Sequence, residues 1–321
     1  MTRSIDSLKG RELPAVLLAG PTASGKTTLS LALAGALGGK VPAEIVNADS
    51  MQIYRHMDVG TAKPSAEERG LVPHHLLDVA DPDEPFDAAR YLTAARPVID
   101  SLRLRGVLPL VVGGTGLYMR VLTRGICSGP PSDPAVKEEL LLLEKTGGLT
   151  PLYRELLRVD PESAARIHPN DRQRILRALE VYRIGGVALS ALQKPHGFSR
   201  ELFPTIKIFI TREREELYER IERRVEGMIS AGLKSEVEGL LSMGYGPELK
   251  SMQSIGYRQM AAHIAGTLSL DEAVFAIKRE TRRYAKRQIT WFGGEADFVS
   301  FAAEDFGGIH RFICQRLETG G

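Results

Sequence analysis

The sequence predicts an α/β fold: a parallel sheet flanked by helices, with an all-helical insertion domain in the middle of the chain. Three observations predict it. The apolar run Ala15–Ala19 feeds a glycine-rich loop that opens a helical pattern, the start of a strand–helix unit. Further short apolar runs at 44–48 and 108–112 are separated by helical periodicity, the rhythm of parallel strands joined by crossovers. From 122 to 203 strand signals are absent, and Ile206–Ile210 then resumes the strand pattern. The implied division is a core of 13–121 and 204–300, a helical insertion of 122–203, and a C-terminal tail of 301–321.

The first unit carries the most specific motif. Residues 20–27 read Gly-Pro-Thr-Ala-Ser-Gly-Lys-Thr, which fills G-x-x-x-x-G-K-[ST], the phosphate-binding loop. A strand feeding such a loop into a helix aims several N–H groups and the positive helix end at one spot. Gly20, Thr22, Ala23, Ser24, Gly25, Lys26 and Thr27 are therefore the candidate phosphate-binding set. Lys26 would reach the terminal phosphate, and the Thr27 hydroxyl is the candidate Mg²⁺ ligand. A loop that merely turns the chain is the alternative, and the correct flanks on both sides weigh against it. The motif leaves open whether phosphate is transferred, hydrolysed or expelled.

The remaining elements follow in order. Thr27–Leu37 has helical spacing and stops at Gly38-Gly39. Glu44–Ala48 reads as the second strand, with Asp49 and Ser50 just past its carboxyl end, where open parallel sheets bind ligands. A turn or helix-cap aspartate is the other reading of Asp49. Residues 52–85 are rich in breakers and hold His74-His75. No carboxylate or cysteine stands at ligand spacing beside these histidines, so they read as loop packing, with His75–Val79 as a short strand. Asp87 caps a helix with Leu92, Ala95, Val98, Ile99 and Leu102 on one face. Leu108–Val112 is the next strand, running into Gly113-Gly114-Thr115-Gly116, where backbone approaches a ligand closely or simply turns.

The insertion shows helical patterns at 135–144, 150–159, 161–167 and 171–184, and ends in an expected exposed loop at 194–198. Arg172, Arg174, Arg177 and Arg183 cluster in the last of these helices. A solvated face and an RNA-binding face both fit such a run. After Ile206–Ile210 comes a long amphipathic helix with Leu217, Ile221, Val225, Met228, Leu233, Val237 and Leu240 inward and Gly232 interrupting it. The helix from Ser269 to Trp291 mixes Lys278, Arg279, Arg282, Arg283, Lys286 and Arg287 with Tyr284 and the single Trp291. Basic residues among aromatics fit a nucleic-acid backbone and stacked bases, or a salt-bridged outer helix. Asp297–Ser300 reads as a final short strand.

Composition narrows the class. The chain has 321 residues, 43% hydrophobic and 26% charged, with a formal net charge of +2. These are the values of an ordinary globular protein, and the overall charge announces no polyanionic partner. Cys127 and Cys314 stand far apart and form no C-x-x-C, which speaks against a metal cluster or disulfide framework and fits a reducing cytoplasm. Residues 1–12 lack a signal-peptide core, and no apolar run approaches the about 18 residues that span a bilayer.

Several stretches together resemble one family, the bacterial tRNA dimethylallyltransferases. They are Gly20–Thr27, Asn47-Ala48-Asp49-Ser50-Met51-Gln52-Ile53-Tyr54, Asp58-Val59-Gly60-Thr61-Ala62-Lys63-Pro64, Val112–Tyr118, Ser254–Gln259 and Lys286-Arg287-Gln288-Ile289-Thr290-Trp291-Phe292. Arg166–Asp171 and the arginine-bearing helix after it resemble the family's insertion. The likeness runs from about Pro14 to Val299. It implies a P-loop NTPase-like core in which the 20–27 loop holds the diphosphate of dimethylallyl diphosphate, with Mg²⁺ on Thr27.

The resemblance also implies site roles. Arg224 and Thr115 would be the catalytic partners of the diphosphate, and Asp49 the base for the adenine N6 amine. Such a base is worth about 10²–10⁴-fold. The adenine 3′ of the anticodon would be flipped into a channel from the side opposite the diphosphate. Asp49, Ser50, Met51, Gln52 and Thr115 would meet that base. Lys137, Gln173, Arg174, Ile175, Leu176 and Arg177 would grip the anticodon stem-loop, with Arg258, Lys286 and Arg287 as further tRNA contacts. The expected protein is a cytoplasmic monomer with no membrane partner. A small-molecule kinase, an adenylate isopentenyltransferase and a nucleotide-switched RNA-binding protein are the competing readings of the loop.

Overall fold

Every residue of β1 (Ala15–Ala19) is buried, and it has a strand on each side. A five-residue apolar strand with no polar face belongs at the centre of a covered parallel sheet. The computed structural model describes residues 12–126, 129–196 and 201–319. It falls into two units: Met1–Thr123 with Leu202–Gly321, and Arg124–Glu201.

The first unit is built on a six-stranded sheet. Its strands are β1, β2 (Ala43–Asn47), β3 (His74–His75), β4 (Leu108–Gly113), β5 (Thr205–Thr211) and β6 (Val299–Ala302), in the order β3-β2-β4-β1-β5-β6. All the pairings are parallel. Ala19 lies opposite Gly113, and Asn47 opposite Val112. This register brings the loops that follow β1, β2 and β4 to one edge of the sheet. The fold is P-loop NTPase-like, an α/β sheet with helices on both faces.

Side chains alternate between the two faces of β1. Val16 and Leu18 join Leu33, Ile208 and Ile210 on one side. Leu17 and Ala19 join Ile99, Val111 and Phe209 on the other, where the Tyr91 and Tyr118 rings stack at 4.1 Å. The covering helices are α1 (Lys26–Leu37), α3 (Ala88–Leu104) and α4 (Gly116–Arg124), while the short α2 (Ala66–Leu71) buries no side chain. Asp87 caps α3 by accepting the N–H groups of Ala89 and Arg90. Beyond β5 come α10 (Arg214–Ser230), α11 (Leu233–Ser242), α12 (Tyr257–Ile264) and α13 (Leu270–Gly293). Gly232, with φ of 94°, separates α10 from α11. Ile53, Met57, Val225, Leu240, Tyr257 and Ile277 form the core that joins these helices to the 51–57 segment.

Two expectations are corrected here. The strand expected at 75–79 is only His74–His75, because Leu76 and Asp78 have φ of 62° and 57° and turn the chain away. Asp78 is held in that turn by Lys63 at 2.7 Å and Arg69 at 2.7 Å. The expected tail is a folded part of the first unit. After β6, α14 (Phe306–Thr319) buries Ile309, Ile313, Cys314 and Leu317 in the same cluster as Leu33 and Ile208. Its four inward positions repeat at helical spacing, a signal diluted by the two glycines at its start.

The second unit is all-helical among the described residues: α5 (Pro134–Gly147), α6 (Leu149–Val159), α7 (Pro161–Arg166), α8 (Arg172–Gly185) and α9 (Leu189–His196). Leu140, Leu152, Leu156, Ile175, Ala178 and Leu179 form its core. Buried Asp160 accepts the Ser163 N–H at 3.0 Å, the Ser190 N–H at 3.0 Å and the Ser190 hydroxyl at 2.6 Å, which fastens α9 to the start of α7. Residues 194–196, expected as loop, complete α9. Gly197 and Phe198 of that loop, and Cys127, lie outside the described residues.

Candidate active site

The loop after β1 is shaped by two left-handed residues, Ala23 with φ of 64° and Gly25 with φ of 95°, the second handing the chain to α1. Lys26 folds back over the loop, its Nζ donating to the Gly20 and Pro21 carbonyls, each at 2.8 Å. Burial pulls its pKa down to about 7; Asp49 opposes the shift and Arg224 adds to it. Arginines from about two turns into α10 and from just before it hold the outer carbonyls. Arg220 Nε donates to Ala23 O at 2.8 Å, and Arg212 Nε to Ser24 O at 2.9 Å. Ser24 Oγ is buried without a hydrogen-bond partner. From α13, Gln288 Oε1 accepts the Thr22 N–H at 2.8 Å.

The segment after β2 is fixed by Asn47, whose Oδ1 accepts the Asp49 N–H at 3.0 Å. Asp49 Oδ1 in turn accepts the Met51 N–H at 2.9 Å. The Ser50 N–H donates to Thr115 Oγ1 at 3.0 Å, and the Thr115 N–H to Ala48 O at 3.2 Å, so the β2 and β4 turns are stitched together. A Cβ on Gly113 would lie 2.2 Å from Ala48 O, which is why glycine is needed at this crossing. The Tyr284 side chain lies beside Thr115.

A third loop, 58–64, closes the site. The Glu236 carboxylate accepts the N–H groups of Asp58, Val59 and Gly60 at 2.8, 2.7 and 3.0 Å. Lys63 is buried and reaches Tyr54 O and Asp78 Oδ1, both at 2.7 Å. The carbonyls that this loop presents hold site residues: Thr61 O accepts Arg224 Nη2 at 3.2 Å, and Thr61 O and Ala62 O accept Gln52 Nε2 at 3.2 and 3.1 Å. Burial lowers the Arg224 pKa, against the attraction of Asp49.

These parts enclose two adjoining clefts. One, of about 560 Å³, is polar and cationic, lined by Lys26, Thr27, Arg220 and Arg223 among others. The other, of about 400 Å³, is more apolar, lined by Met51, Val225, Met228, Ile277 and Tyr284 with Arg258 and Arg287 at its wall. Thr22, Asp49 and Arg224 line both. The arrangement suits a reaction between an anionic group held in the first cleft and a flat, partly apolar group admitted through the second.

The sequence-predicted residues divide accordingly. Thr22, Ala23, Gly25, Lys26, Thr27, Asp49 and Arg224 meet in the first cleft; Gly20 and Ser24 stand behind it. Ser50, Met51, Arg258 and Arg287 join Asp49 in the second, while Gln52 faces the first. Thr115 acts from behind Ser50 and Tyr284. Lys286 is exposed on α13. In the helical unit Lys137, Gln173 and Arg174 are exposed, and Arg177 bonds Glu180 at 2.7 Å and Pro130 O at 2.9 Å. The expectation of a nucleic-acid contact by the Ile175 side chain is corrected: it is fully buried in the core of that unit, and Leu176 packs partly against the same core.

Sequence reasoning missed Glu236 and Gln288 as site builders. Gln288 stood inside a recognised motif without a role, and Glu236 is one acid among many on an amphipathic helix. No group of three His, Cys, Asp or Glu side chains gathers for a metal among the described residues. The Thr27 hydroxyl on the wall of the cationic cleft still fits Mg²⁺, which takes substrate phosphate oxygens and waters alongside few protein oxygens. No helix among the described residues is long and apolar enough to cross a membrane.

Fold and site together define a transferase-like protein with a P-loop-type strand–loop–helix cradle. The family model described as IPP transferase matches residues 52–295. A tRNA dimethylallyltransferase of Syntrophobacter fumaroxidans is 58% identical over 93% of this chain and 86% of its own length. One of Geobacter metallireducens is 52% identical over 88% and 91%. Among solved structures, the tRNA isopentenylpyrophosphate transferase of Bacillus halodurans is 38% identical, with a TM-score of 0.71 over 96% of this chain and 97% of that one. A eukaryotic dimethylallyltransferase acting on tRNA is 28% identical, with a TM-score of 0.78 over 95% of this chain and 77% of that one. The chain belongs to the IPP transferase family.

Proposed function

We propose that this protein transfers the dimethylallyl group of dimethylallyl diphosphate to N6 of the adenine 3′ of the anticodon in tRNA, releasing diphosphate. The observation that carries the reading is the pair of clefts that share Thr22, Asp49 and Arg224. The diphosphate enters the cationic cleft, and the adenine enters the apolar one. The allylic carbon then lies between them, beside the Asp49 carboxylate.

As the C–O bond breaks, negative charge grows on the leaving diphosphate. The loop N–H groups, Lys26 and Arg224 are already aimed there and stabilise it without rearranging. Mg²⁺ on Thr27 supplies further charge neutralisation when bound. The N6 amine forms the new C–N bond, and Asp49 accepts the proton that it sheds. Burial of Lys26 and Arg224 strengthens their pull on the anion, because little water screens it. Within the helical unit the exposed Arg174 offers a cation to tRNA phosphates, and on α13 the exposed Lys286 and Arg287 do the same, with the protein acting as a cytoplasmic monomer.

The test is direct. The protein is incubated with Mg²⁺, dimethylallyl diphosphate and an unmodified tRNA, and the digested nucleosides are weighed by mass spectrometry. Isopentenyl-adenosine is expected. Its absence with tRNA, alongside product with AMP or phosphoryl transfer from ATP, moves the assignment to an adenylate isopentenyltransferase or a kinase. Asp49→Ala is expected to keep tRNA affinity within about twofold while lowering transfer about 10²–10⁴-fold, the usual worth of general acid–base help.

A further inference from the structure

One stripe of α13 faces inward onto the site rather than outward. Tyr284, Gln288 and Trp291 are spaced four and three residues apart, so they share a helix face. Tyr284 meets Thr115. Trp291 fills the space over Gly116, where a Cβ would come within 2.1 Å of its Nε1. Between them Gln288 is 5% exposed, and its amide is used at both ends: Oε1 accepts the Thr22 N–H at 2.8 Å, and Nε2 donates to Gly114 O at 2.9 Å. The ladder between β1 and β4 ends at Ala19 opposite Gly113, one residue short of Gly20 and Gly114. Beyond that point no ladder bond joins the two loops, and the Gln288 amide spans them.

We propose that Gln288 is a positioning residue that sets the span between the diphosphate loop and the Thr115 turn. This rests on the function proposed above. Only a group that offers one donor and one acceptor at this separation satisfies both loops. A carboxylate loses the donor and sets a negative oxygen against Gly114 O. A protonated carboxyl regains it, accepting from Thr22 N–H and donating to Gly114 O. Misplacing reacting groups by about an ångström costs about 10²-fold in rate, and Thr22 lines both clefts.

The test compares Gln288→Glu, Gln288→Met and Gly114→Ala with wild type. A Cβ on Gly114 would fall 2.0 Å from Nε2, so the last variant breaks the span while keeping Gln288. For Gln288→Glu, kcat at pH 8 is expected to fall about 10²-fold, with KM for both substrates within about threefold of wild type. Burial at this 5% exposed position raises the pKa of the introduced carboxyl, so its kcat relative to wild type should recover as the pH falls from 8 to 6 and the carboxyl protonates. Gln288→Met and Gly114→Ala should lose kcat without that recovery, and melting temperatures show that each variant is folded. An unchanged kcat, or a loss in Gln288→Glu that ignores pH, overturns the role of Gln288. Failure of the wild-type protein to transfer at all overturns the proposed function instead.

Discussion

Glu236 accepts the Tyr257 hydroxyl at 2.6 Å, and the same carboxylate closes over three consecutive N–H groups of the 58–60 loop. The Tyr257 ring packs so close to Gly60 that a Cβ there would meet it at 2.5 Å. Glu236 thus fixes a loop whose carbonyls hold Gln52 and Arg224. Glu236→Ala leaves four donors without their charged acceptor. Hydrogen bonds to charged groups are worth about 1.5–3 kcal/mol each, and water recovers part of the loss. A net cost of about 2–3 kcal/mol is expected, together with a raised KM for dimethylallyl diphosphate as Arg224 loses its seat. Thermal melts and initial rates check both; an unchanged KM would mean that Arg224 is held independently.

Lys26 gives a pH signature. Its pKa stands at about 7 in the ligand-free site, below the usual 10.5, chiefly through burial. A bound diphosphate favours the charged form and raises the value again. Between these two limits the ligand-free lysine is largely neutral and the complex holds it protonated, so binding takes up a proton. Calorimetry at pH 8.5 in two buffers of different ionisation enthalpy should show close to one proton more for wild type than for Lys26→Met. At pH 6 the difference should vanish, since Lys26 is then charged before binding. A difference that persists at pH 6 would contradict the assignment.

Removal of α14 tests the corrected C-terminus. Truncation after Glu304 uncovers the surface that Ile309, Ile313, Cys314 and Leu317 bury. At roughly 1.5–3 kcal/mol for each large apolar side chain, the loss is several kcal/mol, enough to threaten the fold. The truncated protein should melt well below the full chain or fail to accumulate. Melting within a few degrees of it would show that the helix contributes little.

The cation set makes a salt-dependence prediction. Lys286 and Arg287 are exposed, while Arg183 is engaged by Glu139 at 2.9 Å and Glu155 at 2.9 Å. Replacing Lys286 or Arg287 by Ala should reduce the slope of log K against log salt for tRNA by about 0.7–1 each. Replacing Arg183 should leave the slope unchanged and lower stability instead. Filter binding across salt concentrations separates the two outcomes.

The sequence made some of this legible and hid the rest for physical reasons. Ala15–Ala19 was readable as β1 to the residue, because an unbroken apolar run before a phosphate loop has few other readings. Asp49 was placed by its position past β2. The burial of Ile175 was also open to reading, since with Ala178 and Leu179 it forms an apolar stripe, but the neighbouring arginines drew attention to the surface. Glu236 and Gln288 were not legible. Each acts on backbone groups, and backbone partners far away in the chain leave no mark on local composition. The short β3 was obscured because Leu76 adopts a left-handed conformation that its residue type rarely favours, and Asp78 turns the chain again two residues later.

The entry and exit of the insertion meet at one hydrogen bond, from Leu202 N–H to Thr123 O at 2.8 Å. Immediately afterwards the chain enters β5, where Thr205 pairs with Ala15. During synthesis, therefore, β1 waits with one edge bare until the entire insertion has left the ribosome. A long flexible excursion would slow that closure, because loop entropy must be overcome before the strand contact is gained. An insertion with its own core can fold first and bring residues 123 and 202 together, turning a long loop into a short one. Variants that unsettle the core of the helical unit should therefore delay completion of a sheet to which they contribute no strand.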